Sequence, residues 1–223
     1  MKAMILAAGR GERLRPLTDT IPKPLLKVGG KELILWHIEK LAWNGFKEIV
    51  INIAHLGEKI PATLGDGSHW GIKITYSDEK DSGALETAGG IKKALEFLGD
   101  EPFIVVNGDI FCDYEFDPTF NLQDKLAHLI LVPNPSHNPK GDFGLENSLV
   151  LNHSKEMWTF SGIAYYNPKI FDDITLKKLP LAPLLRKYIG ETSVSGEIFT
   201  GFFKDIGTPQ RLDEINEILY SST

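Results

Sequence analysis

The chain has 223 residues, 42% hydrophobic and 24% charged, with a formal charge of −6 and a sequence pI near 5.5. That composition belongs to a globular protein with an ample core, and the acidity argues against broad nucleic-acid or anionic-membrane binding. One cysteine, Cys112, leaves no intramolecular disulfide, and the short apolar stretch after Met1-Lys2 is neither a secretory signal nor a membrane span, so a cytoplasmic location is expected.

Lys2–Leu6 reads as a buried strand. It runs into the loop Ala7–Leu25, AAGRGERLRPLTDTIPKPL, which carries Gly9 and Gly11, the cations Arg10, Arg13, Arg15 and Lys23, and Pro22 and Pro24, expected to hold Lys23 in an extended frame. Next come a helix over Glu32–Asn44, a strand over Glu48–Ile53 and a short helix over Leu56–Leu64 interrupted by Pro61. A strand over Ile72–Tyr76, a helix over Glu86–Leu98 and an apolar strand over Phe103–Val106 follow. Strands alternating with helices predict an α/β fold with parallel pairing and ligands at the carboxyl ends of the strands. After Asn107 the rhythm changes. A strand over Leu129–Val132, a hairpin over Gly141–Asn152 and a strand over Thr159–Tyr166 precede a helix over Leu181–Ile189. A last strand over Thr200–Ile206 leads to a helix capped by Thr208 with Pro209 at its first position. The change near Asp113–Asp117 divides one expected domain, 1–223, into a nucleotide half (about 1–112) and a substrate lobe (about 113–223).

Glycines let a backbone approach a ligand closely, and fixed cations around them suit a polyphosphate. The loop follows neither familiar phosphate pattern. The position where a dinucleotide fingerprint needs its third glycine is Leu14, and no Gly-Lys-Ser/Thr ends the loop. In Asn107-Gly108-Asp109 a carboxylate stands where an apolar strand ends. Asp205, before Ile206-Gly207-Thr208-Pro209, is its candidate partner. Two such aspartates can share Mg²⁺, which takes one or two carboxylates plus phosphate and water oxygens; the alternative is two turn aspartates. Cys112 reads as structural, the six histidines show no zinc spacing, and the four tryptophans read as packing.

The glycine loop, Pro-Lys-Pro, Val106-Asn107-Gly108-Asp109 and Asp205-Ile206-Gly207-Thr208-Pro209, in this order, resemble the sugar-1-phosphate nucleotidyltransferase family. Leu64–Ser68, Leu85–Ile91, Pro133–Phe143 and Thr159–Gly162 are similar to its N-acetylmuramate-1-phosphate uridylyltransferase branch, with Lys80–Gly83 looking like an insertion. The resemblance implies a Rossmann-like three-layer αβα fold, its central sheet mixed and mostly parallel, with a small β-rich sugar-binding lobe. It implies that Gly9, Gly11, Glu12, Arg13, Lys23 and Asn107 hold the nucleotide, with Lys23 and Arg13 catalytic. Glu79, Ala84 and Gly89 then lie near the base, Asp142, Glu156 and Ser161 contact the sugar, and Asp109 and Asp205 hold Mg²⁺.

The expected reaction is uridylyl transfer from UTP to N-acetylmuramate 1-phosphate, giving UDP-N-acetylmuramate and pyrophosphate, in peptidoglycan recycling by a monomer or small homo-oligomer. The nucleophile is already an anion, so positioning and charge neutralisation carry the catalysis. Two alternatives stay open. One is guanylyl or thymidylyl transfer to a mannose-, heptose- or glucose-type 1-phosphate, which Glu79 makes worth testing. The other is a non-catalytic sugar-nucleotide binding protein.

Overall fold

The computed structural model describes residues 1–221, the Ser82 side chain excepted. In chain order the strands are β1 (Lys2–Leu6), β2 (Lys27–Val28), β3 (Lys31–Glu32), β4 (Glu48–Ile53), β5 (Lys73–Asp78), β6 (Phe103–Asn107), β7 (Ile110–Cys112), β8 (Ala127–Val132), β9 (Gly144–Glu146), β10 (Leu149–Leu151), β11 (Thr159–Tyr166), β12 (Val194–Ile198) and β13 (Phe203–Asp205). The helices are α1 (Leu33–Trp43), α2 (Lys59–Leu64), α3 (Glu86–Leu98), α4 (Leu181–Gly190) and α5 (Pro209–Ser221).

Nine strands form one sheet in the order β5-β4-β1-β6-β11-β8-β12-β10-β9. Four strands, β5 to β6, are mutually parallel, and β8 and β12 are also parallel. Only β11 and β10 run against the other strands of this sheet. The sheet is therefore mixed and mostly parallel, and it is continuous through both halves of the chain.

Alternation along the central strands shows why the fold has three layers. In β1, Ala3 and Ile5 enter the core that contains Ile34, Ile38 and Leu41 of α1 and Ile60 of α2. Met4 enters the opposite core, with Ala88 and Ile91 of α3 and Leu184 and Leu185 of α4. Ile104 and Val106 of β6 divide from Phe103 and Val105 in the same way. A strand covered on both faces reads as a continuous apolar run, which is how β6 appears in the sequence. A third cluster joins Leu14 and Leu26 of the opening loop to Leu212 and Ile215 of α5. The last helix thus braces the first loop.

Several elements depart from the sequence reading. Pro61 does not interrupt a longer helix; α2 begins at Lys59 and places Pro61 in its first turn, where no N–H is needed. Lys23 is not held extended; it opens a 3₁₀ turn, Lys23–Leu25, behind the extended Pro22. The last strand shrinks to Phe203–Asp205. The short ladders β2–β3 and β7–β13, and strand β12, had no clear pattern in the sequence.

Candidate functional site

The carboxyl ends of β1 and β6 meet at Leu6 and Asn107, which are register partners. Gly108 N–H donates to Leu6 O at 2.9 Å. A Cβ on Gly108 would stand 2.6 Å from that oxygen, so glycine is what lets the two strand ends come this close. A cavity of about 330 Å³ opens here, lined by Gly9, Gly11, Lys23, Glu79, Ala84 and Asp109 among others. A second cavity of about 470 Å³, walled by Asp142, Phe143, Phe160 and Arg186, shares Glu86, Thr87 and Asn107 with the first. Two adjoining chambers on one rim can seat two ligands in contact.

The opening loop is folded onto itself. Gly11 has φ +65°, and Thr18 Oγ1 donates to its carbonyl at 2.8 Å. A Cβ on Gly11 would lie 2.9 Å from the Thr18 methyl and 3.2 Å from Lys23 Cβ. Lys23 is buried, and its Nζ lies 2.5 Å from Asp109 Oδ2. At the neighbouring position, β13 pairs with β7 so that Asp205 faces Ile110, and Ile206 N–H donates to Asp109 O at 2.7 Å. Asp205 is ion-paired with Arg211 and stands 3.2 Å from His137 Nε2. The two backbones thus meet at the end of a ladder, while the Asp109 carboxylate lies against Lys23 in the first cavity and that of Asp205 lies against Arg211 in a separate depression. Among the described residues no group of three or more His, Cys, Asp or Glu forms a metal cage. A divalent cation at this rim would therefore draw most of its ligands from phosphate and water.

Glu79 is 1% exposed, and both its carboxyl oxygens are occupied. Oε1 accepts from Asn52 Nδ2 at 2.7 Å and Oε2 from Leu85 N–H at 2.8 Å. Asn52 Oδ1 in turn accepts from Ala7 N–H at 2.7 Å. This relay ties the start of the phosphate loop to the start of α3. Gly90 makes room for it, since a Cβ there would stand 2.6 Å from Glu79 Oε1. Asn52 lines the first cavity and was missed in the sequence. Its signal was present: one amide inside the β-branched run of β4.

The other expected residues are distributed as follows. Arg13 is exposed and reaches Gly207, where Arg13, Arg211 and Asp205 converge: a Cβ on Gly207 would stand 3.0–3.1 Å from an atom of each. Glu12 is exposed at the first position of a 3₁₀ turn. Neither is a wall of the first cavity. Gly89 lies behind the cavity, where a Cβ would stand 2.3 Å from Lys177 O. Asp142 lines the second cavity, with Oδ2 accepting from Phe160 N–H and Oδ1 from Asn138. Ser161 is buried in the bulge of β11; its hydroxyl donates to Ile130 O and accepts from Ile163 N–H, so it does not wall either chamber. Glu156 lies in a separate depression with Lys155 and Pro139. Glu86, shared by both chambers, begins α3 at φ +59°, with Lys178 Nζ 3.7 Å away. Such backbone strain is found where a site over-determines it.

Comparison with known proteins agrees with this geometry. The nucleotidyl transferase family model matches residues 2–148. The chain is 53% identical over 224 aligned residues to the N-acetylmuramate alpha-1-phosphate uridylyltransferase of Neisseria meningitidis serogroup B, covering 96% of each protein. It is 32% identical to the mannose-1-phosphate guanylyltransferase catalytic subunit beta of Danio rerio, covering 94% of this chain and 62% of that one. A solved structure described as a glucose-1-phosphate thymidylyltransferase of Bacillus anthracis superposes with a TM-score of 0.84 at 24% identity, over 98% of this chain and 95% of that one, and shows the same fold. The glycine loop, the paired strand ends and the adjoining chambers therefore belong to an enzyme of the nucleotidyl transferase family, which moves nucleotidyl groups onto sugar 1-phosphates.

Proposed function

We propose that the chain transfers a uridylyl group from UTP to N-acetylmuramate 1-phosphate, releasing pyrophosphate and forming UDP-N-acetylmuramate. The observation that carries this reading is the convergence of Gly9, Gly11, Lys23 and Asp109 on one chamber that opens into a second. The first chamber takes the nucleotide and the second the sugar. A phosphate oxygen of the sugar 1-phosphate attacks the α-phosphorus, and the bond from that phosphorus to the bridging oxygen of pyrophosphate breaks. Gly9 and Gly11 leave their backbone open to the phosphates, and Asn107, common to both chambers, positions the reacting ends. Lys23 places an ammonium where negative charge grows in the transition state. Arg13, gathered with Arg211 at Gly207, adds positive charge on the side of Asp205.

The family works with a divalent cation; here Mg²⁺ would be held by Asp109 and Asp205. It would neutralise phosphate charge and let two anions approach. Each Glu79 oxygen already accepts from a protein donor, so this carboxylate braces the chamber wall. Among the described residues no helix is long and apolar enough to cross a membrane. We place the reaction in the cytoplasm, in peptidoglycan recycling.

The test is a panel of UTP, dTTP, GTP and CTP against N-acetylmuramate, N-acetylglucosamine, glucose and mannose 1-phosphates with Mg²⁺, read as pyrophosphate release. The UTP and N-acetylmuramate pair should give the highest kcat/KM. A different best pair rejects the substrate assignment and keeps the reaction class. No release with any pair favours a binding protein.

A further inference from the structure

The second chamber has a mostly apolar wall in Phe143, Phe160, Leu181 and Leu185, and one arginine, Arg186. Leu181, Ala182, Leu185 and Arg186 recur at helical spacing, so α4 turns one stripe toward the cavity. The Arg186 guanidinium is held in place by uncharged groups. Nη2 donates to Asp142 O at 3.3 Å, Nη1 donates to Asn152 Oδ1 at 3.5 Å, and the group lies 4.9 Å from the Phe143 ring centroid. Asn152 Nδ2 donates back to Arg186 O at 2.9 Å, which ties the residue after β10 to the middle of α4.

The acids of the same chamber are otherwise engaged. Glu86 faces Lys178, and the Asp142 carboxyl accepts from Asn138 and from Phe160 N–H. Among the described residues Arg186 has no carboxylate within ion-pairing distance. A guanidinium turned toward neutral acceptors, with donors to spare, at the mouth of an apolar sugar chamber, is suited to receive a planar anion.

We propose that Arg186 reads a carboxylate carried by the sugar, and so is the residue that selects an acidic sugar 1-phosphate over a neutral one. This deepens the reading given under Proposed function and rests on it for the position of the sugar. N-acetylmuramate differs from N-acetylglucosamine by a lactyl ether that bears such a carboxylate, whereas glucose and mannose carry none. The lactyl carboxylate pairs with Arg186 while the ether methyl meets the apolar wall.

The test measures kcat and KM with UTP for N-acetylmuramate 1-phosphate against N-acetylglucosamine 1-phosphate, and for glucuronate 1-phosphate against glucose 1-phosphate. The enzymes are wild type, Arg186→Gln and Arg186→Lys. Arg186→Gln should lower kcat/KM for the acidic sugars by about 10- to 100-fold, mostly through KM, and leave the neutral sugars within about twofold. Arg186→Lys should recover part of the loss because it keeps the charge without the fork. Equal losses on acidic and neutral sugars would mean that Arg186 only packs on Phe143, and would overturn the inference. So would a wild type with no preference for the acidic member of either pair. Failure on N-acetylmuramate 1-phosphate alone, with glucuronate preferred over glucose and that preference lost in Arg186→Gln, would reject the substrate assignment and leave the role of Arg186 standing.

Discussion

Lys23 Nζ and Asp109 Oδ2 lie 2.5 Å apart although 86 positions separate them in the chain. The pair joins the opening loop to the end of β6 on one wall of the first chamber, with the lysine side chain 10% exposed and the aspartate 37%. Each residue holds the other in place. Lys23→Ala and Asp109→Asn should each lower turnover by about 100-fold or more, the scale of losing one oriented electrostatic group. Pyrophosphate release measures this. Near-wild-type turnover in either variant would remove that residue from the mechanism.

Glu79 should behave as a brace more than as a base reader. Glu79→Ala leaves the Asn52 amide and the Leu85 N–H buried without their acceptor. The expected cost is about 2–4 kcal/mol of stability, with a raised KM for the nucleotide because Asn52 no longer fixes Ala7. Glu79→Gln must turn an N–H₂ toward one of two donors, and it should cost about 1–2 kcal/mol. Denaturant midpoints and nucleotide KM values distinguish these outcomes from a purely binding role, which would leave stability unchanged.

Gly89 serves the packing of α3. Ala88 and Gly89 N–H groups donate to Leu179 O, and a Cβ on Gly89 would collide with Lys177 O, a backbone atom that cannot swing away. Gly89→Ala should lower stability by about 1–3 kcal/mol. It should also raise KM for both substrates, because Lys178 and Pro180 on the displaced segment line the two chambers. A thermal melt with wild-type Tm would show that the segment gives way at no cost.

His37 sets a pH limit on stability. Burial pushes its pKa down from 6.5 to about 4, against smaller upward pulls from the Ile110 hydrogen bond and from Asp109. Between those two values the unfolded chain binds a proton that the folded chain refuses. Its contribution to stability is therefore constant above about pH 6.5 and falls as pH drops toward 4, by about 3 kcal/mol in all. His37→Gln should flatten this segment of the stability–pH curve measured by urea unfolding. An unchanged slope would show that another group causes the decline.

The parallel half of the sheet was readable because β1, β4 and β6 are covered on both faces and so are predominantly apolar. Strand β12 was not readable. Val194-Ser195-Gly196-Glu197-Ile198 is apolar only at its ends, and its place is set by pairing with β8 from far away in the chain. The site divides similarly. Gly9, Asn107 and Asp109 stand just past the ends of β1 and β6, so their grouping followed from topology, and Lys23 is brought back to them by its own 3₁₀ turn. The use made of Glu79 and Ser161 did not, because an acid and a hydroxyl on a loop or bulge look the same in sequence whether they face a ligand or a backbone donor. Arg186 was overlooked because an arginine after an apolar helix stripe usually reads as solvated.

The pairing of β13 with β7 has a consequence for synthesis. Asp109 is made near the middle of the chain, whereas its partner aspartate arrives only when Phe203–Asp205 docks and α5 closes over the opening loop. A nascent chain that has built the nucleotide loop and β6 therefore still has only one of the two carboxylates. The carboxylate pair proposed for the cation is thus completed late, by the same segment that seals the first loop into the core.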